Sequence, residues 1–371
     1  MVPQILILFF LINFFASCTI EAKINTNYRE YHSRINKAEE LIFLKKDVDS
    51  ALFIYSEVFK DYDFVFVQDC VIAAQIALVF KKDLLVLEFL NKGFENGLKI
   101  SNLPKYRDIE NGETKYLNIF ENFLSLNENE KLLKKYYEIE RQKYLQRINA
   151  KLLDKIIKRY AIDQSHKNIR KNTKETKVEQ DSLMNIVMKK NVSLIDSLAR
   201  IGLFPSEKIL GINDNNLFNE LNLPYKPLID YYKIFLADTQ KKFNISENHF
   251  ILDEDCLTFN MTYVMLYHYE PSYDILSKHF DNLIMNGLIH PREVASLEKS
   301  FNDDVYKYTK LEKYKDVSQR INCFDTTLNN RKIVNKKRLE SYLVPVEVDM
   351  AKKKFEAQYK LRFYMKPVMN R

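Results

Sequence analysis

The 371-residue chain has no tryptophan, only six glycines, nine prolines and four cysteines. Glycine and proline together make up about 4% of it, against roughly 12% in average proteins. That scarcity argues against a turn-rich β-sandwich and against a fold built on a glycine-rich phosphate loop. No Gly-x-Ser-x-Gly, Walker A or Gly-x-Gly-x-x-Gly occurs, so the hydrolase elbow and the phosphate cradle lack their residues. No Cys-x-x-Cys is present, which removes support for zinc ribbons and thioredoxin-type sites. The six histidines include no His-Glu-x-x-His frame, and neither a metal nor a cofactor is expected. Asp253-Glu254-Asp255 lacks the turn glycine of a calcium loop and reads as a solvated loop.

What the chain does contain suits long helices: 46% hydrophobic residues, 29% charged, and 57 Lys+Arg against 50 Asp+Glu. This is enough apolar material for a real core over two domains, and disorder is excluded. The net charge of +7 is a property of one end. Residues 331–371 hold 12 Lys/Arg and 4 Asp/Glu, a balance of +8, so residues 1–330 sum to −1.

Residues 2–17 carry no charge and end on Ala16-Ser17 before Cys18. The run is too short to span a bilayer, which takes about 20 apolar residues, and reads as a signal-peptide core. Its end resembles the lipobox of bacterial lipoproteins, which implies lipidation at Cys18, export and membrane attachment, with the outer membrane expected because Thr19 follows. An ordinary cleaved signal peptide is the alternative. In an oxidising compartment Cys256 and Cys323 are the one pair considered for a disulfide, whereas Cys70 is expected to pack as a small hydrophobe. Sequons stand at Asn191, Asn244 and Asn260, and chance accounts for them best.

Beyond a leader at 19–27, the segment Leu41–Asp47 returns as Ala77–Asp83, 36 residues later. A period near 34–36, with Asp47 and Asp83 opening the second helix of each pair, is the signature of tetratricopeptide-type helical hairpins. The fold expected is all-α: a repeat region over 28–127, one long connecting helix over 128–164, a polar linker or loop at 165–180, and a second helical domain over 181–371 with a basic tail. In the long helix Leu133, Tyr137, Tyr144, Ile148, Leu152, Ile156 and Tyr160 form one stripe. Gly202 and Gly287 are placed to end helices, and Pro271 and Pro291 to open them. Asn111-Gly112 is a turn signal, and Tyr342–Val348 is the best candidate for an extended piece.

Asp163-Gln164 after the long helix, then Gly202-x-x-Pro205-Ser206, His268, Gly287 and Ala295, resemble a family of uncharacterised exported bacterial proteins with tetratricopeptide-like repeats. That family carries Asp-Gln-x-x-Arg, Gly-x-Pro-Ser, Gln-His-Ala, Asp-Arg and Tyr-Gly-Thr-Gln elements in its second domain. Here Lys167 replaces the Arg, Tyr267 and Tyr269 flank His268, Lys299-Ser300 stands near the Asp-Arg position, and there is no Tyr-Gly-Thr-Gln. The resemblance implies a polar site at Asp163, Gln164 and His268. A carboxylate orienting a histidine begins a general acid–base arrangement, while the plainer reading is a helix cap and a structural histidine.

The function expected from these parts is a non-catalytic envelope lipoprotein that binds or scaffolds proteins or peptides, since stacked hairpins make concave surfaces. Its membrane contact runs through the lipid anchor, and nucleic acid is not an expected partner. The alternative is an envelope hydrolase using the Asp163, Gln164 and His268 remnants.

Overall fold

The computed structural model describes residues 25–110, 113–172, 177–212, 216–223, 258–269, 271–298 and 328–363. Cys18, Cys256, Cys323, Asn244, the acids at 253–255 and Lys299-Ser300 lie outside these residues. Among the described residues the fold is all-α but for one hairpin of two short strands.

Residues 28–95 form two helical hairpins. Helix α1 (Tyr28–Glu40) continues through a π-turn (Leu41–Lys45) and packs on α2 (Val48–Asp61); α3 (Val67–Val79) packs on α4 (Asp83–Glu95). Asp47 caps α2, its side chain accepting from the Ser50 amide at 3.2 Å. Asp83 does not cap as expected: it is the first residue of α4, and Lys82 holds the cap position without a side-chain bond. The π-turn adds one residue to the first hairpin, so α2 and α4 start 35 residues apart, at Val48 and Asp83, rather than 36. In the first turn Asp83 still complements the helix dipole.

Every residue of α3 from Val67 to Ala77 is buried. A helix buried all round must be covered on all sides, and α4 supplies one wall. Tyr28, Tyr31, Tyr62, Phe64 and Phe66 form the adjoining aromatic core, with edge-on pairs such as Tyr28–Tyr62 and Tyr31–Tyr62, both at 5.1 Å. Cys70 is a free, buried thiol within α3.

Strands β1 (Tyr106–Glu110) and β2 (Glu113–Leu117) pair antiparallel around the Asn111-Gly112 turn signal. The only extended piece expected, Tyr342–Val348, is instead a helix end, a three-residue connection and a helix start: Tyr342 has φ 56° and Val346 opens a helix. Pro345 favours extended backbone only for the residue before it.

After the short α5 (Glu121–Ser125), the single long helix expected over 128–164 is two: α6 (Asn127–Arg147) and α7 (Ala150–Asn172). Ile148 turns extended at ψ 131°. Asn149 then caps α7 by accepting from the Leu152 amide at 3.0 Å, and its own amide donates to Ile209 O. The apolar stripe survives the break, with Leu133, Tyr144, Ile148, Leu152, Ile156 and Tyr160 all buried. Most of the linker expected at 165–180 is helical as well, because α7 runs to Asn172 and α8 covers Lys177–Arg200.

Glycine ends α8 as expected: Gly202 has φ 73°, and the Leu203 amide returns to Leu198 O at 2.9 Å. Short turns α9 (Glu207–Leu210) and α10 (Leu217–Glu220) follow, then α11 (Phe259–Tyr267) and α12 (Ser272–Met285), which begins after Pro271 and closes on Gly287 at φ 66°. Helix α13 covers 291–298 from Pro291, and α14 (Leu328–Glu340) and α15 (Val346–Tyr359) complete the described chain.

Candidate functional site

Three helices converge on Asp163. Helix α7 supplies Asp163 itself, α8 packs along it, and α11 lies against both. Thr262 fixes α11 by donating from its hydroxyl to Pro205 O at 2.8 Å. Ser272 closes its end by donating to Leu266 O. His268 is the residue at that end, the C-cap of α11.

The geometry brings the expected residues together. Asp163 is fully buried, and its Oδ2 lies 2.6 Å from His268 Nδ1. Gln164 Nε2 donates to the same oxygen at 3.2 Å, and Asn191 Nδ2 from α8 donates to Oδ1 at 3.1 Å. A carboxylate can only accept from the ring, so Nδ1 carries the hydrogen and Nε2 is the basic nitrogen. The His268 side chain is 16% exposed, so the ring edges toward solvent while its carboxylate partner does not. His166, one turn along α7, is held below the ordinary imidazole range by burial, against the pull of Asp163.

Asn191 is the functional neighbour that sequence reasoning passed over. It was visible only as a sequon, and at 1% exposure it has no room for a glycan; the same holds for Asn260. Its Oδ1 has no hydrogen-bond partner among the described residues.

A second polar cluster joins the hairpins to the C-terminal helices. Glu39 of α1 pairs with Lys352 and lies 3.5 Å from Arg292, and Asp349 takes Arg292 at 3.0 Å together with Arg338. Arg292 and Asp349 hold each other charged: Asp349 is lowered to about 2 although burial opposes this, with Arg292 the largest favourable cause. On α3, Asp69 accepts from the Tyr31 hydroxyl at 2.7 Å and faces His290 Nε2 at 3.9 Å. Burial raises Asp69 to about 7 and drives neighbouring His32 down to about 3. Part of the basic tail is therefore internal, since Arg338 and Lys352 are buried.

Among the described residues no group of three or more His, Cys, Asp or Glu is arranged to hold a metal ion, and no helix is long and apolar enough to cross a membrane. Comparison with family models, curated proteins and solved structures finds no match to this chain.

Proposed function

We propose that this chain is an exported, lipid-anchored envelope protein whose chemical work is proton transfer at His268, of the hydrolase class. The observation that carries this reading is the 2.6 Å contact between His268 Nδ1 and a fully buried Asp163. The carboxylate sets the tautomer and stabilises the imidazolium that forms when Nε2 takes a proton. Asn191 and Gln164 keep the carboxylate from turning. In a hydrolysis, Nε2 takes a proton from water, the remaining hydroxide adds to the electrophilic centre, and the proton passes on to the leaving group.

The test is turnover of an activated ester, p-nitrophenyl acetate, compared with free imidazole at equal concentration. The full chain is expected to exceed imidazole and to lose about a hundredfold on His268→Gln, within the usual range for a positioned acid–base group. Equal rates for wild type and His268→Gln would refute the reading.

The second reading is a binding or scaffolding module for a protein or peptide on tetratricopeptide-like hairpins. What favours it is that the first helices of both hairpins already hold a segment of chain, here the protein's own, Glu39 at Lys352 and Gln75 at Arg362 O.

A further inference from the structure

The β1–β2 ribbon is rooted in the core by Leu103 before it and Phe120 after it, both buried, and among the described residues no other element packs closely on it. A ribbon of two strands is marginal in water, and further strands or a covering helix are what normally stabilise one. Its register adds a cost. Glu110 stands opposite Glu113, and like charges directly opposite destabilise a sheet.

The register also fixes which main-chain groups are used inside the ribbon. With two residues between them, Glu110 and Glu113 form a hydrogen-bonded pair, and such pairs then alternate along the ladder: Asp108 with Lys115, and Tyr106 with Leu117. The intervening residues, Arg107 and Ile109 on β1 and Thr114 and Tyr116 on β2, therefore direct their amides and carbonyls to the two outer edges. Beside the β2 edge Lys115 is exposed and Tyr116 is 64% exposed. An uncovered edge is a template for another strand.

The two edges differ in what they can pair with. Two copies joined edge to edge by a two-fold axis set one residue opposite itself and its neighbours opposite each other. On β1 every such register stacks like charges: Arg107, Asp108 or Glu110 on itself, Lys105 on Arg107 about Tyr106, or Asp108 on Glu110 about Ile109. On β2 the register about Thr114 sets Glu113 opposite Lys115 of the second copy, twice over, with threonine on threonine between them; both are favourable cross-strand pairs. Thr114 is also a residue whose main chain faces outward, so the central pair can exchange both hydrogen bonds. Glu113, opposed by Glu110 within the ribbon, gains a lysine.

We propose that this chain self-associates through the β2 edge, two copies pairing antiparallel about Thr114 to make one four-stranded sheet. A contact along one short strand falls below the roughly 1,200 Å² at which standard interfaces begin, so the dimer is a weak one. The inference stands apart from the Asp163–His268 site and does not need it to be catalytic.

The experiment is sedimentation equilibrium of the full chain from micromolar concentration to about 1 mM, the weak end of specific association. Wild type is expected to pass from monomer to dimer over that range. Thr114→Pro removes the outward amide at the two-fold axis and leaves the β1–β2 bonds in place, an edge being where a strand tolerates proline; this variant is expected to stay monomeric. The charge pair keeps the proposal testable if the proline disturbs the ribbon. Lys115→Glu is expected to weaken association by about tenfold, from two cross-strand pairs turned repulsive, and adding Glu113→Lys to it should restore the dimer. A wild-type chain still monomeric at about 1 mM, a Thr114→Pro chain that dimerises like wild type, a Lys115→Glu chain that associates as well, or a charge exchange that fails to recover association would each overturn it.

Discussion

Asp163 and His268 lie 105 positions apart in the chain, and their side chains meet at 2.6 Å. Neither residue has a feature in its own stretch of sequence that requires the other. The pair exists because α11 is laid across α7 and α8, and because Asn191 fills the far side of the carboxylate.

A spectroscopic signature follows from that pairing. In nitrogen NMR of the full chain, neutral His268 is expected as the Nδ1–H tautomer. Asp163→Asn should weaken that preference, because an amide can present either an acceptor or a donor to the ring. Asp163→Ala should also destabilise the chain by about 1–3 kcal/mol, through the buried donors of Asn191 and His268 left without an acceptor. An unchanged tautomer and unchanged stability would mean that the pair does not form in solution.

The Asp69–His32 neighbourhood sets a pH dependence with two opposed signs. Asp69 titrates near 7 in the folded chain and near its ordinary 3.8 when unfolded, so its contribution to stability falls as pH rises between those values. His32 titrates near 3 when folded and at 6.5 when unfolded, so its contribution rises with pH over nearly the same interval. The wild-type chain should therefore show little net dependence from this pair between about pH 4 and 6.5. Asp69→Asn removes one side, and stability should then climb by about 1.4 kcal/mol per pH unit toward neutrality. Urea unfolding at pH 4, 5, 6 and 7 tests it; a flat profile for the variant would contradict the opposed assignment.

Two helix-ending glycines should respond differently to alanine. Both have positive φ, 73° at Gly202 and 66° at Gly287, so each substitution carries about 1–2 kcal/mol of left-handed strain. At Gly202 an added methyl meets nothing within 4 Å, whereas at Gly287 it would stand 2.6 Å from the Tyr28 ring. Gly287→Ala should cost clearly more, because Tyr28 is pinned through its hydroxyl to Phe64 O and cannot retreat. Chemical denaturation of the two variants gives the comparison, and equal losses would mean that Tyr28 moves freely.

Glu39 offers a test of the buried charges. Glu39→Ala leaves the buried Lys352 ammonium without its carboxylate and should destabilise by about 3–5 kcal/mol. Replacing the pair together, Glu39→Leu with Lys352→Met, should recover most of that loss. Failure of the double variant to recover would show that the two side chains are not coupled.

The membrane attachment proposed for this chain rests on Cys18. Mass spectrometry of the mature chain should find a lipid-modified Cys18, lost in Cys18→Ala with release into the soluble fraction. An unmodified N-terminus downstream of residue 18 would remove the anchor and leave an ordinary signal peptide.

Local chemistry accounts for what was legible beforehand. The scarcity of glycine and proline, the apolar stripe from Leu133 to Tyr160 and the positions of Gly202, Gly287, Pro271 and Pro291 follow from helix periodicity and backbone geometry within a few residues. They gave the all-α class and most helix ends correctly. The failures were local too. Asn149 ends the long helix because it captures Leu152, a cap signal hidden inside an unbroken stripe. Within the polar stretch, residues 165–172 and 177–180 are helical because helix propensity does not require an apolar face at helix ends.

By itself, then, the sequence determined that this protein is helical and where several of its helices end, since those are properties of adjacent residues. Only the tertiary structure supplied the contacts: Asn191 on the Asp163 carboxylate that the resemblance had grouped with His268, and Glu39 with Lys352, 313 positions away. A buried charge is held by the partner that reaches it through the packing of distant helices, and the periodicity of neither helix names that partner.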